Sequence, residues 1–422
     1  MKPDIKDLEA AVLAVWGKTY PLPDGATGRY PLLLHMLDVA VVAAEILGAK
    51  PRLSRWLATR FRLSPADMVA LVTWLAGLHD LGKATPCFQR QSPAAIPGFM
   101  ELGLELYEIH PDCRHATSTF TLLDPLLARR GLPPCVSRSA ARALAGHHGD
   151  LRLDSKYRQS LAVAAADARW TAVREDMVAR LAEIIGIRNL PQTSPPPYTW
   201  SVVLGLTTFA DWVGSNTDWF PPDAEGADLQ SHARRARSRA SRAVATLLGG
   251  GGPRQDKLSF EALFSFRPRG VQETVAQIAS GGVPSLLILE APTGEGKTEA
   301  GLFIAAKAGL GEGIYLALPT QATSNAMLPR LADFLRAADV GSRHIGLLHS
   351  RAGLRVGDGQ SGAAVDPEAA AWFAGRRRGL LSPFAVGTVD QALLAVLRGR
   401  HYCLRLFALA GKVVIINEVH AY

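Results

Sequence analysis

Seven histidine and aspartate residues in the first half of the chain are of the types that ligate transition metals. They are His35, His79, Asp80, His115, His147, His148 and Asp211. A set rich in imidazole suits Fe, Mn, Co, Ni or Zn better than Mg or Ca. The set indicates a metal centre assembled from distant parts of the sequence.

Asp211 gives the strongest sign of a bound cation. It lies in segment 202–213, which is apolar on nearly every helical face. A buried, unpaired carboxylate costs several kcal/mol, so a positive partner is expected beside it. By contrast, a lone His35 on an apolar helix stripe would more often be a core histidine, and the pair His147 and His148 carries little weight by itself.

A second motif, in the other half of the chain, is typical of a phosphate-binding loop. Residues 291–298 read Ala-Pro-Thr-Gly-Glu-Gly-Lys-Thr and follow the apolar run 286–289. A strand, a glycine-rich loop and a helix in this order form a P-loop, whose backbone N–H groups hold phosphates. We expect Lys297 to reach the β- and γ-phosphates of ATP and Thr298 to ligate Mg²⁺, beside the loop residues Thr293, Gly294, Glu295 and Gly296.

Helical periodicity fills the first two hundred residues. Apolar residues recur at helical spacing in segments 31–47, 68–81, 137–145, 160–185 and 198–213, which predicts an almost wholly α-helical region. Segment 91–110 is rich in Pro and Gly and is predicted to be a surface loop.

Short apolar runs alternate with helical stretches in the second half. The runs 286–289, 314–318, 344–348, 384–386 and 413–416 are predicted to be buried strands of a parallel α/β sheet. Segment 356–364 is rich in glycine and is expected to be flexible.

A basic segment separates the two halves. It carries Arg234, Arg235, Arg237, Arg239 and Arg242 and is followed by a glycine run at 249–252. These arginines fit a phosphate-binding face, and they fit a solvated helical face at least as well. Because 422 residues are long for one core, we place a helical domain at 1–225, a basic linker at 226–257 and an α/β domain at 258–422.

Composition indicates the kind of partner and the cellular location of the protein. The net charge of +8 favours polyanionic partners such as nucleic acid. The N-terminus lacks the apolar stretch of a signal peptide and no long apolar run occurs, which predicts a cytoplasmic protein without a membrane partner. The cysteines, Cys87, Cys113, Cys135 and Cys403, form no C-x-x-C pair and are expected to be reduced and buried.

The ordered histidines and aspartates, with Asp211 opening Asp-Trp-Val-Gly-Ser, resemble the HD-type nuclease domain of the CRISPR-associated helicase-nuclease of type I systems. The common HD phosphohydrolase has a shorter ligand set, so His115, His147 and His148 imply a second metal. The resemblance implies one metal on His35, His79, Asp80 and Asp211 and another on Asp80, His115, His147 and His148, with Asp80 bridging. Two such metals activate water and hold the oxygens of a phosphodiester.

The ligand Asp80 and two residues near the ligand set, Lys83 and Ser215, are catalytic candidates. Asp80 serves both metals, and Ser215 closes the Asp211 motif. Lys83 could neutralise charge that builds on the phosphoryl oxygens. The alternative interpretation is that Lys83 is a surface lysine after a glycine that ends a helix.

The P-loop and several shorter motifs resemble a superfamily two helicase. Ala291 replaces the first glycine, segment 266–272 resembles the motif in which Gln272 reads adenine, and segments 319–321 and 387–391 resemble strand-contacting motifs. Asn417-Glu418-Val419-His420 stands where the family has Asp-Glu-Val-His. Glu418 would position the attacking water, whereas Asn417 lacks the charge that holds Mg²⁺, so ATP hydrolysis is expected to suffer. The sequence ends at Tyr422, before the family's second RecA-like domain, so we expect an incomplete motor.

The sequence therefore predicts a multi-domain protein, an all-α HD-type nuclease domain followed by a RecA-like domain with a parallel α/β sheet. The implied function is a metal-dependent single-stranded DNA endonuclease coupled to an ATP-dependent helicase, recruited by a Cascade-type guide-RNA complex on target DNA. One alternative is a nucleotide phosphohydrolase fused to an unrelated ATPase. Another is a non-catalytic fragment that docks on a partner and binds nucleotide.

Overall fold

Helices and one hairpin build the first half of the chain. The structure, a computed structural model, describes residues 5–22, 24–109, 113–149, 155–222, 228–249, 258–310, 312–340, 344–348, 367–374, 378–397 and 399–419. The elements of the first half are α1 (Leu8–Ala14), β1 (Trp16–Pro21), β2 (Thr27–Pro31), α2 (Leu32–Ala49), α3 (Pro51–Phe61), α4 (Pro65–Gly77), α5 (Pro86–Gln89), α6 (Ile96–Glu101), α7 (His115–Arg129), α8 (Pro134–Ala145), α9 (Ser155–Ala166), α10 (Ala168–Ile185), α11 (Pro197–Gly214) and α12 (Leu229–Leu248). Short 3-10 helices lie at Leu78–Lys83 and Pro93–Ala95.

The helical predictions are confirmed for α2, α4, α8 and α11, and two others need correction. Segment 160–185 is two helices, because the Asp167 side chain accepts hydrogen bonds from the backbone N–H groups of Arg169 and Trp170 and starts α10. Such an N-cap favours a new helix over a continuous one. The surface-loop prediction for 91–110 is wrong in part, since α6 and the 3-10 helix before it lie there.

The hairpin of β1 and β2 was not predicted from the sequence. Its antiparallel pairing runs from Trp16 opposite Pro31 to Pro21 opposite Thr27, with an irregularity between Trp16 and Lys18. Gly17 is therefore a bulge residue. Bulges change the direction in which neighbouring side chains point, and they are common beside active sites.

A parallel sheet forms the centre of the second half. The elements there are α13 (Phe260–Phe264), α14 (Val271–Gly281), α15 (Lys297–Lys307), β3 (Ile314–Leu318), α16 (Gln321–Ala337), β4 (Ile345–Leu348), α17 (Pro367–Phe373), a 3-10 helix (Gly379–Leu381), β5 (Phe384–Thr388), α18 (Val389–Leu393), α19 (Tyr402–Leu409) and β6 (Val413–Ile416). The strand order is β4-β5-β3-β6, and all pairs are parallel. Every residue of β3 is buried, as expected for an interior strand of a sheet covered on both faces. Four of the five strand predictions are confirmed.

The predicted strand at 286–289 is the exception. Leu287 and Leu289 pack against the core, whereas Leu286 and Ile288 are 78% and 83% exposed. The segment has the alternating burial of a strand but joins no ladder among the described residues. An apolar run specifies burial, not a hydrogen-bonded partner, so the sequence could not settle this point.

The chain divides into two compact units that do not follow the sequence order strictly. Residues 1–48 and 54–244 form one unit, the HD unit, together with Arg400–Phe407. The other unit, the sheet unit, contains 245–399, 408–422 and also Ala49–Leu53. The boundaries placed at 225 and 257 stay a prediction. The glycine-rich stretch 356–364 and residues 250–257 of the predicted linker lie outside the described residues.

Segment Arg400–Phe407 packs against α11 inside the HD unit. The rings of Phe209 and Phe407 lie 5.7 Å apart between centroids, and those of Trp212 and His401 lie 5.8 Å apart. Gly205 lets the two helices meet, because a Cβ atom at this position would overlap the carbonyl oxygen of Cys403. A late segment of the sequence thus completes the packing around the helix that carries Asp211.

The cysteines depart from the prediction of reduced, buried thiols. Cys87 and Cys113 form a disulfide, with Cα atoms 5.9 Å apart. Cys403 is free and buried, but Cys135 is free and exposed. The disulfide joins residues far apart in sequence, and no short spacing motif announces such a pair.

Helix α2 is long and apolar enough to cross a membrane. It is the one described helix with this property, and 78% of its apolar window is buried inside the protein. Burial of this kind is what a core helix shows, and His35 lies on it.

Candidate metal centre

The seven predicted ligands come together in the HD unit. His35 lies on α2, His79 and Asp80 lie in the 3-10 helix after α4, and His115 begins α7. His147 and His148 follow α8 in a turn, and Asp211 lies near the end of α11. The fold therefore brings together at one site residues that lie almost 180 positions apart in the sequence.

Gly82 allows the 3-10 helix and α7 to approach closely. A Cβ atom here would overlap the carbonyl oxygen of His115 and the backbone nitrogen of Thr119. The Gly82 N–H donates to Oγ1 of Thr119 at 2.9 Å, and this hydroxyl donates to the carbonyl oxygen of His79 at 3.1 Å. These contacts bring His115 beside Asp80.

The two carboxylate oxygens of Asp80 face different histidines. Oδ2 lies 3.6 Å from Nε2 of His35 and 3.4 Å from Nε2 of His79. Oδ1 lies 3.6 Å from Nε2 of His115 and 3.4 Å from Nε2 of His147. Asp211 lies beside the same two histidines as Oδ2 of Asp80, since its Oδ1 is 3.5 Å from Nε2 of both His35 and His79.

These separations suit ligands of a shared ion. They are too long for good hydrogen bonds and are at or slightly above the roughly 3.0–3.4 Å that separates two ligands about 2.1 Å from one ion. The ligand atoms form three metal-capable groups: Asp80 with His115, His147 and His148; His35 with His79 and Asp80; and His79 with His147 and Asp211. The first group has the same four residues as one predicted site. The second contains three residues of the other predicted site, and the fourth, Asp211, falls in the third group beside His79 and His147.

Buried atoms without hydrogen bonds test whether the residues fit metal ions. Within the part of the chain that the structure describes, Nε2 of His35, His79 and His147 and Oδ1 of Asp80 are buried and accept or donate no hydrogen bond. Leaving such atoms unpaired is costly. The Nδ1 atoms of His79 and His147 do form hydrogen bonds, to the carbonyl oxygens of Ala76 (3.0 Å) and Leu144 (2.7 Å). Backbone anchoring at Nδ1 leaves Nε2 as the ligand atom, so the residues fit metal ligation.

Neighbouring charges keep the carboxyl groups ionised. Burial raises the pKa of Asp80, but Lys83 and His79 outweigh burial and hold the pKa well below its usual range. Burial also raises the pKa of Asp211, and His35 and His79 reverse that effect. Both aspartates are therefore carboxylates that can bind a cation.

Burial keeps most of the imidazoles neutral. It lowers the pKa of His115 to about 3 and that of His148 to about 4. Burial and the nearby Lys18 lower the pKa of His35 as well. For His79, burial lowers the pKa, but Asp80 and Asp211 outweigh burial and raise the pKa to about 9. A metal would have to displace that proton.

Lys83 and Ser215 lie against the two carboxylates. Nζ of Lys83 is 2.7 Å from Oδ2 of Asp80 and donates to the carbonyl oxygen of Gly17 at 2.9 Å. Its side chain is only 13% exposed, so the surface-lysine alternative is wrong. The Ser215 hydroxyl donates to Oδ1 of Asp211 at 2.9 Å.

Sequence reasoning missed Lys18 at this site. Nζ of Lys18 donates to Oγ of Ser215 at 2.8 Å and to the carbonyl oxygen of Gly214 at 3.4 Å. Lys18 lies on β1, and since the hairpin was not predicted, no signal in the sequence placed this lysine near Asp211.

The glycine-rich loop of the sheet unit precedes α15 as predicted. Gly294 and Gly296 adopt positive φ angles of +91° and +74°, which glycine tolerates best. Nζ of Lys297 donates to the carbonyl oxygens of Ala291 (2.7 Å) and Pro292 (3.1 Å). The lysine therefore folds back onto the loop, and it would have to exchange these bonds for phosphate oxygens.

The other predicted nucleotide residues lie near the loop or at the end of β6. Gln272 is buried, its Nε2 donates to the carbonyl oxygen of Gly296 at 3.3 Å, and its Oε1 accepts from the backbone N–H of Arg269. Asn417 follows β6 and donates its backbone N–H to the carbonyl oxygen of Ala317 at 2.9 Å. Glu418 has a positive φ of +55°.

A helical unit with a histidine and aspartate centre, joined to a unit with a parallel sheet and a P-loop, defines an HD-type hydrolase domain followed by a RecA-like domain. Residues 16–220 match the family model described as Cas3, HD domain. The chain is 36% identical to the CRISPR-associated endonuclease/helicase Cas3 of Thermus thermophilus over 98% of this chain and 47% of that protein.

Solved structures agree with this match. The structure of T. fusca Cas3-ATP superposes with a TM-score of 0.80 at 33% identity, over 97% of this chain and 47% of that one. A chain of the CRISPR RNA-guided surveillance complex, pre-nicking, superposes with a TM-score of 0.66 at 31% identity, over 97% and 44%. Residues 16–220 are therefore a Cas3 HD domain, and the chain resembles the Cas3 nuclease/helicases, a family of hydrolases. It spans about half the length of the relatives it matches.

Proposed function

We propose that the HD unit is a metal-dependent endonuclease that cuts single-stranded DNA and acts in CRISPR interference. The observation that carries this proposal is the division of the Asp80 carboxylate, with one oxygen toward His35 and His79 and the other toward His115 and His147. One carboxylate between two groups of ligands is the arrangement expected of a two-metal phosphodiesterase.

The ligand set suits transition ions such as Fe, Mn, Co, Ni or Zn. We assign one ion to His35, His79, Asp80 and Asp211 and the other to Asp80, His115, His147 and His148. Bound at these residues, the ions would activate water and stabilise negative charge on the phosphoryl oxygens.

Charge balance favours an anionic substrate. The ammonium groups of Lys18 and Lys83 already offset the carboxylates of Asp80 and Asp211, to which they are linked by an ion pair or through Ser215. Divalent ions on neutral imidazoles would then leave positive charge uncompensated. A phosphodiester supplies the balancing negative charge, and Lys83 is placed to hold Asp80 while the substrate binds.

We assign adenine nucleotide and Mg²⁺ to the sheet unit. Lys297 and Thr298 at the start of α15, with the loop 293–296, would contact the phosphates, and Gln272 would lie beside them. Asn417 and Glu418 would face Mg²⁺ and the attacking water. The relative named Cas3-ATP supports the nucleotide.

The partners follow from the same relatives. A chain of a CRISPR RNA-guided surveillance complex resembles this one, which supports recruitment to target DNA by a Cascade-type complex in the cytoplasm. Guide pairing then supplies sequence recognition, so the nuclease needs no base-specific contacts.

Circular single-stranded DNA tests the proposal. Purified protein is incubated with this DNA and with each candidate transition metal, without ATP. We expect nicking to linear product that a chelator abolishes, and poor cutting of duplex DNA. Cleavage of free mononucleotides but not of the circle would favour the phosphohydrolase, and no hydrolysis with any metal would favour the non-catalytic docking fragment.

A further inference from the structure

A hydrogen-bonded chain connects the hairpin to Asp211. Nζ of Lys18 on β1 lies 2.8 Å from Oγ of Ser215, and this Oγ lies 2.9 Å from Oδ1 of Asp211. Lys18 also donates to the carbonyl oxygen of Gly214 at 3.4 Å. Two of its donors are thus fixed on the end of α11.

The direction of each hydrogen bond follows from the donor inventory. An ammonium group has donors only, so the Ser215 oxygen must accept from Lys18. The serine then has one hydrogen left, which goes to the Asp211 carboxylate. This leaves Ser215 without a free hydrogen for the substrate, and it argues against Ser215 as a proton donor in the reaction.

The orientation of Asp211 depends on this chain of bonds. Its Oδ1 atom is the same atom that lies 3.5 Å from Nε2 of His35 and of His79. A carboxylate oxygen has two lone-pair positions. If one accepts from Ser215, the other is directed to the space between the imidazoles.

The arrangement around Asp80 is parallel. Nζ of Lys83 contacts Oδ2 of Asp80 and donates to the carbonyl oxygen of Gly17, the bulge residue next to Lys18. A lysine thus holds each candidate metal carboxylate. Lys83 contacts Asp80 directly, whereas Lys18 acts on Asp211 through Ser215. Lys18 lies on β1, and Lys83 donates to the backbone of the same strand.

We propose that Lys18 is a positioning residue that, through Ser215, fixes the Asp211 carboxylate for metal binding. This inference rests on the proposed function, because it assigns a role in the same centre. Lys18 contacts Ser215, and Ser215 contacts Asp211, so we assign both residues an action through Asp211. Partners that orient a ligand in this way typically contribute about 10- to 100-fold to metal affinity or activity.

The test compares Lys18→Met, Ser215→Ala and the double variant with the unchanged protein. Methionine keeps the apolar stem of the lysine and removes the charge and the donors. We expect each single variant to lower kcat on circular single-stranded DNA by about 10- to 100-fold with little change in KM. The double variant should be no worse than either single one, because both interrupt one chain of bonds. Lys18→Arg, which keeps the charge and the donors, should restore most of the activity.

The visible spectrum of bound Co²⁺ gives a readout independent of cleavage. It should change in the same way in Lys18→Met, Ser215→Ala and the double variant, and remain unchanged in Lys6→Met, an exposed lysine of the HD unit. Multiplied losses in the double variant, a rise in KM alone or unchanged spectra would overturn the inference.

Failures of the two proposals can be told apart. If the unchanged protein cuts no DNA, the proposed function is wrong, and the Co²⁺ spectra still decide the role of Lys18. If thermal unfolding shows that Lys18→Met does not fold, Lys18→Gln replaces it, with the same expected spectral change and the same contrary outcomes.

Discussion

Oδ1 of Asp80 lies 3.4 Å from Nε2 of His147, while Oδ2 of the same carboxylate points to His79 at the same distance. A substitution at Asp80 therefore removes a ligand from both groups at once. His148, which is exposed, belongs to one group only. The two residues should differ in how many metals their loss releases.

We expect Asp80→Ala to lose both metals and nearly all cleavage, whereas His148→Ala should retain the metal on His35, His79 and Asp211 in part. The measurement is metal content per chain together with cleavage of circular DNA. Asp218→Ala, at an exposed aspartate of the same unit, is the control, and its metal content should equal that of the unchanged protein. Two metals retained in Asp80→Ala would contradict the bridging assignment.

The pH dependence of the metal-free protein should report His79. Its pKa is about 9 in the fold, above the ordinary value of 6.5. A raised pKa contributes stability that is fully present below about 6.5 and is lost as the pH rises through about 9. The melting temperature of chelated protein should therefore fall over this window, and His79→Gln should abolish that part of the decline. A profile that His79→Gln leaves unchanged would refute the assignment.

Metal binding should release the proton that His79 holds. A ligand nitrogen must be deprotonated, so the affinity for Co²⁺ should rise by about tenfold per pH unit between about pH 6.5 and 9. Titration in buffers of different ionisation enthalpy measures the proton count. An affinity independent of pH in this window would show that metal binding displaces no proton from His79.

The sheet unit should bind ATP weakly and hydrolyse it at background rate. Lys297 must leave its bonds to Ala291 and Pro292, and Asn417 offers Mg²⁺ no charge. Asn417→Asp should tighten Mg²⁺-dependent ATP binding, because a carboxylate supplies the charge that the amide lacks. Lys297→Ala is the control that should lose binding. Hydrolysis by the unchanged chain at a helicase-like rate would contradict this expectation.

The packing of segment Arg400–Phe407 on α11 predicts that two Gly→Ala substitutions differ in their effect on stability. Gly205→Ala should destabilise the HD unit by about 1–3 kcal/mol, because the new methyl group overlaps the Cys403 carbonyl. Gly48→Ala, at an exposed helical glycine with open space around it, should be neutral or stabilise by about 0.5–1 kcal/mol. Thermal unfolding compares the two, and equal effects would show that the Gly205 contact is unimportant.

The sequence was most informative where residue type alone limits the structure. The strands at Ile314–Leu318 and Val413–Ile416 were predicted correctly because buried apolar runs are recognisable locally. The histidines and aspartates, chosen by residue type, lie close together in the structure, and their role as metal ligands stays a prediction. Lys18 and the disulfide of Cys87 and Cys113 were missed, since each depends on a contact between distant segments. The prediction of a strand at 286–289 was wrong for a related reason, because strand pairing depends on a neighbouring strand that the periodicity of one segment does not reveal.

Completion of α11 by Arg400–Phe407 has a consequence for synthesis on the ribosome. At roughly 5–20 residues per second, roughly 10–40 s pass between the emergence of Gly214 and that of Arg400. Throughout this time the ring contact between Phe209 and Phe407 cannot form, although every candidate metal ligand has already been synthesised. The HD unit therefore cannot complete its packing on α11 until residues 245–399, which belong to the sheet unit, have been synthesised.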